Sequence, residues 1–172
     1  MTRPVINIDE IELEPRPAGF AATGDAVNRY DARMGRVAMR IGAKQLGYNV
    51  TAVPPGKRAF PVHSHRVNEE MFYVIHGTGE VRIGTSTYPL RPGDIVACPA
   101  GGAETAHQIV NTGTEELRFL AVSTMRYPEI CEYPDSHKFG VYAQFPGAAD
   151  GKPKMFRYLG REAQSIDYWE GE

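Results

Sequence analysis

An all-β barrel or sandwich is the fold class this sequence predicts, and three observations carry the prediction. Short apolar segments of strand length recur at regular intervals through the middle of the chain. The 18 glycines and 13 prolines fall between those segments as turn punctuation, not as a low-complexity block. No stretch sustains an apolar stripe of period 3.6, so no long amphipathic helix is expected, and no internal repeat is visible.

The elements follow in chain order. Residues 1–35 are Pro-rich and weakly periodic and read as an extended N-terminal arm, with one helical turn possible in DAVNRYDARMGR. VAMRIGA and LGYNVTAVP read as strands, broken by glycine and then by Pro54-Pro55-Gly56. EMFYVIH, EVRIG, STYPL, DIVACP, AHQIVN and LRFLAVST continue the series, separated by GTG, RPGD, PAGG and NTGTEE. Together they define a barrel over residues 36–125. FYVI is apolar on both faces, as a strand between the barrel interior and a second layer would be. Residues 126–172 read as a C-terminal loop and tail packing on the barrel or on a partner subunit. RYPEICEYPDSHKFG is polar and proline-broken, and Tyr158, Tyr168 and Trp169 are large groups that a disordered tail rarely carries.

Composition excludes several classes. With 21 acidic and 19 basic residues the net charge is −2, which is not the footprint of a nucleic-acid binder or of a polybasic membrane-surface segment. No apolar run approaches the roughly 20 residues of a membrane span. The N-terminal MTRPVINIDEIELEPRPAGF has no apolar core of signal-peptide length. Cys98 and Cys131 form neither a metal spacing nor a disulfide framework. A soluble, cytoplasmic protein without nucleic-acid or membrane partners is the expectation.

The chemistry concentrates in PVHSHRVNEEMFYVIHG, residues 61–77. Strand alternation points His63 and His65 the same way, about 6–7 Å apart along the strand. Two neutral imidazoles converging on one spot suit a borderline divalent metal, and a carboxylate from the next strand could add charge and a further donor. Either Glu69 or Glu70 could serve, because both faces of the following strand are apolar. His107, after PAGGAETA and opening another apolar segment, could complete such a set.

These residues resemble the two motifs of the cupins. The first reads Gly56-KRAFPV-His63-Ser-His65-RVNE-Glu70-MFYVIH-Gly77, with one extra residue between the first glycine and His63. The second reads Gly93-DIVAC-Pro99-Ala-Gly101-GAETA-His107-QIV-Asn111, with a five-residue gap after Gly101 where two is usual. The short TGEVRIGTSTYPLRP between them is typical of small bacterial members. The resemblance implies a double-stranded β-helix and one divalent transition metal (Fe, Mn, Zn, Ni or Co) held by His63, His65, Glu70 and His107. It is the six-residue spacing to Gly77 that selects Glu70 over Glu69. Three imidazoles and one carboxylate leave coordination positions open, and the resulting net charge favours an anionic or oxygen-rich small-molecule ligand.

By strand parity, Phe72, Val74 and Ile109 are expected to line the barrel, and His76 to sit at a surface turn. Cys98 reads as packing, since no base pairs with it. Lys57, Arg58 and Phe60 could reach the barrel mouth. EICEYPDSHKFG is dense in acid–base groups, Glu132, Tyr133, Asp135 and His137, in a segment similar to one in small cupins labelled sugar-phosphate-isomerase-like. Glu69, Tyr73 and His137 are the candidate catalytic residues, none with a clear base geometry. Three functions are compatible: a metal-dependent, sugar-phosphate-isomerase-like enzyme, an Fe(II) dioxygenase, or a non-catalytic small-ligand sensor. A homodimer through sheet packing and exchanged arms is expected.

Overall fold

A computed structural model describes residues 3–147 and 153–172. Thirteen strands run in chain order: β1 Glu14–Pro15, β2 Arg33–Arg36, β3 Leu46–Val53, β4 Ser64–His65, β5 Glu70–His76, β6 Gly79–Ile83, β7 Ser86–Leu90, β8 Ile95–Cys98, β9 His107–Val110, β10 Leu117–Thr124, β11 Glu129–Tyr133, β12 Lys138–Phe145 and β13 Lys154–Gly160. Short 3₁₀ turns are the only helical elements among the described residues.

The strands form two layers. One is a six-stranded sheet in the order β1-β2-β3-β10-β5-β8, with every pairing antiparallel. The other consists of a four-stranded sheet, β13-β12-β11-β4, and a three-stranded sheet, β7-β6-β9. A single antiparallel bridge, His63 to His107, joins these two sheets edge to edge. The two residues exchange both backbone hydrogen bonds, at 3.2 and 2.8 Å. Two predicted metal ligands therefore hold the second layer together through their own main chains.

The core lies between the layers. Phe72, Val74, Leu117 and Phe119 from one side meet Val81, Leu90 and Ile109 from the other. Phe72 and Phe119 pack edge to face at 5.5 Å. Alternation along β5 resolves the ambiguity of FYVI: Phe72 and Val74 are buried, while Tyr73 is 40% exposed. The outer face of this strand is thus only partly covered.

Three segments depart from the sequence expectation. Ala38–Ile41, inside VAMRIGA, is a 3₁₀ turn and not a strand, ended by Gly42 in the left-handed conformation at φ 91°. Val37 and Ala38 are buried while Met39 is 86% exposed, so burial falls on adjacent positions and not on the alternate ones a strand would bury. Residues 129–133 and 138–145, expected as loop and tail, form β11 and β12, because β11 takes up the edge of β4. In the tail, β13 pairs with β12, while Tyr168 and Trp169 remain exposed and pack on each other at 4.9 Å.

The motif glycine Gly77 lies directly after β5 at φ 76°. A Cβ there would sit 2.5 Å from the Glu116 carbonyl oxygen. Gly77→Ala combines backbone strain with a clash against backbone and should cost about 2 kcal/mol. Thermal unfolding followed by circular dichroism should show the lowered midpoint; an unchanged midpoint would mean that the turn relaxes freely. The other motif residue outside the ligand set, Asn111, is fully buried. Its side-chain amide donates to the Val53 and Glu115 carbonyls and its oxygen accepts from Gly113, tying three loops together.

Candidate metal centre

His63 and His65 come from the β4 edge, Glu70 opens β5 and His107 opens β9. One ligand atom from each lies within 4.8 Å of all the others. Glu70 Oε2 is 3.1 Å from His107 Nε2 and 3.5 Å from His65 Nε2. The rings of His63 and His107 are 4.7 Å apart, and those of His63 and His65 are 4.9 Å apart. Phe60 and Phe72 stand against the imidazoles, Phe60 at 5.0 Å from His63 and Phe72 at 5.5 Å from His107, and give the cluster an apolar backing.

Each histidine is oriented through its other nitrogen. His63 Nδ1 is 3.0 Å from the Pro61 carbonyl and His107 Nδ1 is 3.3 Å from the Thr105 carbonyl, so both donate to backbone and turn Nε2 inward. His65 Nδ1 faces Glu129 Oε2 and Cys131 Sγ, each at 3.4 Å. Its Nε2 is buried and has no hydrogen-bond partner among the described residues. An inward-facing, unpartnered imidazole nitrogen beside two others and a carboxylate fits a divalent cation, and the N₃O donor set suits a first-row transition metal.

Electrostatics agree with that fit at His63 and Glu70, while at His65 a bound cation would have to displace a proton. Burial pushes the His63 imidazole down to about 3, with His107 adding to the effect, so the ring is neutral as a ligand must be. Burial works against the Glu70 carboxylate, yet contacts from His107 and His65 outweigh it and hold the group below the ordinary glutamate range. For His65, burial is again the opposing influence, overcome by Cys131, Glu129 and Glu70, which raise its pKa.

Glu129 is the residue the sequence reading missed. It is 4% exposed and opens β11. Oε1 accepts from the backbone N–H groups of Arg66, Val67 and Ile130 at 3.1, 3.1 and 2.8 Å. Oε2 accepts from the Asn68 N–H at 2.9 Å and from the Asn68 side-chain amide. Burial raises its pKa, but His65 and Asn68 outweigh that and keep it ionised. The signal was the alternation in EICEY, which places Glu129, Cys131 and Tyr133 on one face of a strand.

Among the other candidates, Glu69 is exposed and its backbone N–H donates to Thr124 Oγ1. Tyr73 lies on the outer face of β5, and His137 is exposed in a left-handed turn at φ 51°. None of the three joins the cluster. Glu132 is engaged by Arg66 at 2.7 Å, and Asp135 by Arg82 through two bonds of 2.8 and 3.0 Å. His76 is exposed, as its turn position implied, and Cys98 is buried, its thiol pushed up to about 12 by burial and then by Glu70. Lys57 reaches the arm, donating to the Asn28 carbonyl at 2.9 Å, while Arg58 and Phe60 line the cavity beside His63. The longer loop after Gly101 folds on itself: Gly101 N–H donates to the His65 carbonyl and Gly102 N–H to Glu104.

That cavity, about 1020 Å³, runs from His63 and Tyr133 outward beneath the arm residues 19–32. Tyr133 stacks on His63 at 6.0 Å, and its hydroxyl is 3.3 Å from that of Tyr142. Burial, followed by Tyr142, raises the Tyr133 pKa well above the ordinary phenol range.

A two-layered double-stranded β-helix with a three-histidine, one-glutamate cluster between its strands defines a cupin. Residues 49–123 match the family described as Cupin domain, and the fold is that of the cupins. A solved structure named as a sugar phosphate isomerase from a cupin superfamily, from Silicibacter pomeroyi, is 26% identical with a TM-score of 0.73, covering 94% of this chain and 95% of that one. Another from Acidithiobacillus ferrooxidans, provisionally named a sugar phosphate isomerase, has a TM-score of 0.73 at 23% identity over 96% of both chains, which establishes the shared fold. The oxalate-binding protein of Thermotoga maritima is 33% identical over 70 residues, 41% of this chain and 54% of that protein. The chain thus spans little more than half the length of the first curated relatives it matches. No helix among the described residues is long and apolar enough to cross a membrane.

Proposed function

We propose that this protein is a metal-dependent enzyme of small oxygen-rich metabolites, of the aldose–ketose isomerase type acting on sugar phosphates. The observation that carries the reading is the convergence of three imidazoles and Glu70 at the inner end of a roomy cavity. Similarity to the Silicibacter pomeroyi protein, over nearly the whole of both chains, supports it. His63, His65, Glu70 and His107 would hold the cation, which supplies Lewis-acid polarisation of a carbonyl or hydroxyl oxygen.

The chain's own groups account for the proton movements. An aldose–ketose interconversion shifts one proton between adjacent carbons and one between adjacent oxygens. Tyr133, held in its neutral form beside His63, is placed to give a proton to oxygen. Asp31 lines the same cavity and has no ion-pair partner among the described residues, and in this reading it is the candidate to take the carbon proton. Glu69, Tyr73 and His137 face elsewhere and take no part. A homodimer belongs to the same reading, supported by Met155, Phe156, Tyr158 and Leu159, which are exposed along β13.

Incubation of the metal-loaded protein with aldose–ketose phosphate pairs in D₂O tests this. Interconversion with deuterium entering one carbon is expected, and Tyr133→Phe should lower kcat about 100-fold. Absence of both turnover and exchange across the pairs sinks the isomerase. The oxalate-binding relative favours a second reading, a small-ligand binder without chemistry, which would retain saturable binding in the same samples.

A further inference from the structure

Five cations line the cavity beside His63: Arg16, Arg29, Arg58, Lys138 and Arg157. None of the five has a carboxylate partner among the described residues. Two carboxylates share the wall, Asp31 and Asp135, and Asp135 is already committed to Arg82. The cavity is therefore cationic before any metal is added. Like charges gathered in a partly enclosed space repel one another, and an anion is what offsets that cost.

The contacts these side chains do make leave their donors available. Arg157 lies over the Phe20 ring at 4.3 Å and gives one N–H to the Gly19 carbonyl at 3.0 Å. Arg29 and Arg58 flank the Tyr30 ring at 5.7 and 5.9 Å, and Lys138 stands 5.4 Å from the Tyr133 ring. Arg16 gives one N–H to the Ala59 carbonyl at 2.8 Å, and burial pushes its guanidinium down from the ordinary arginine value. Ring faces and single carbonyls fix the orientation of these groups without neutralising them, and a guanidinium has five donors to spend.

We infer that this basic wall is a subsite for the phosphate of a phosphorylated ligand whose other end reaches the His63 end of the cavity. The assignment rests on the isomerase reading for what happens at that end, but its own basis is the unpaired cations. Tyr133 connects the two ends, its ring stacked on that of His63 at 6.0 Å and 5.4 Å from Lys138 Nζ. A dicarboxylate as small as oxalate would occupy the open metal positions alone and leave the basic wall unused. The volume, about 1020 Å³, suits an elongated ligand that uses both. Several cations on one wall suit the near-double charge and three terminal oxygens of a phosphate monoester better than a singly charged carboxylate.

Calorimetric titration of the metal-loaded protein with ribose, ribose 5-phosphate, inorganic phosphate and oxalate tests the subsite. Ribose 5-phosphate should bind at least 30-fold more tightly than ribose, and Arg58→Gln/Lys138→Gln should reduce that advantage to threefold or less without changing metal content or oxalate binding. His107→Ala should still bind inorganic phosphate. Equal affinities for ribose and ribose 5-phosphate, or an undiminished advantage in the double variant, would overturn the assignment. Should the double variant fail to fold, the phosphate advantage of the wild-type protein must fall steeply with added salt, and a salt-independent advantage would also refute it. Phosphate binding without turnover would refute the isomerase alone, and turnover without a phosphate advantage would refute the subsite alone.

Discussion

His107→Ala should strip the protein of its metal. The wild-type protein, purified without chelator, is expected to carry about one divalent transition-metal ion per chain by elemental analysis, and the variant less than a tenth of that. The imidazole of His107 is almost wholly buried, and Nε2 meets Glu70 Oε2 at 3.1 Å. Removing one of four donors should weaken binding well beyond the 10–100-fold that loss of a supporting residue outside the ligand set typically costs. Glu70→Ala should act similarly, since it deletes the only carboxylate of the set and leaves a dication among neutral imidazoles.

A second readout separates loss of the ion from loss of the fold. A cation that binds the native state a thousandfold above its dissociation constant stabilises that state by about 4 kcal/mol. Chelation of the wild-type protein should therefore lower its unfolding midpoint by several degrees, and readdition of metal should restore it. His107→Ala should unfold near the chelated wild-type midpoint and ignore both treatments. Backbone hydrogen bonds between positions 63 and 107 survive the substitution, so the second layer remains joined. Full metal content in both variants would remove the basis for this centre.

How much of this was legible beforehand depends on the range of the interactions involved. The strand series from Leu46 to Thr124 reads directly, because half-buried strands write alternation and turns into the sequence. His63 and His65 share a face for the same local reason, whereas the choice between Glu69 and Glu70 needed the motif spacing. VAMRIGA misled because its apolar residues alternate in sequence while burial falls on the adjacent Val37 and Ala38; Met39 faces solvent, and the left-handed Gly42 ends the segment. The C-terminal strands were hidden for the opposite reason. EICEY pairs with β4, 66 positions away at the Cys131–His65 register, and nothing local to either segment announces that contact. Its polar face reads as a loop until the carboxylate at its start is seen to have buried donors.

That carboxylate gives the largest expected stability effect: Glu129→Ala should cost about 4 kcal/mol. The side chain accepts from four backbone N–H groups and one amide, three bonds on Oε1 and two on Oε2, and faces His65 Nδ1 with the second oxygen. Alanine removes the acceptor of the Val67, Asn68 and Ile130 N–H groups, while the Arg66 N–H keeps the Ile130 carbonyl at 2.9 Å and the Asn68 amide keeps the Arg126 carbonyl at 3.0 Å. At roughly 2–4 °C per kcal/mol for a chain of this size, the midpoint should fall by about 10 °C. Glu129→Gln keeps the volume but has no orientation that satisfies both sets of donors, because its amide must turn N–H toward one of them; about half the loss is expected. Metal affinity of the folded glutamine variant supplies the discriminating measurement. If Glu129 positions His65 as well as pinning residues 66–68, that affinity should fall 10–100-fold. An unchanged affinity in a destabilised variant would confine Glu129 to the scaffold, and an unchanged midpoint in the alanine variant would mean that the donors find water instead.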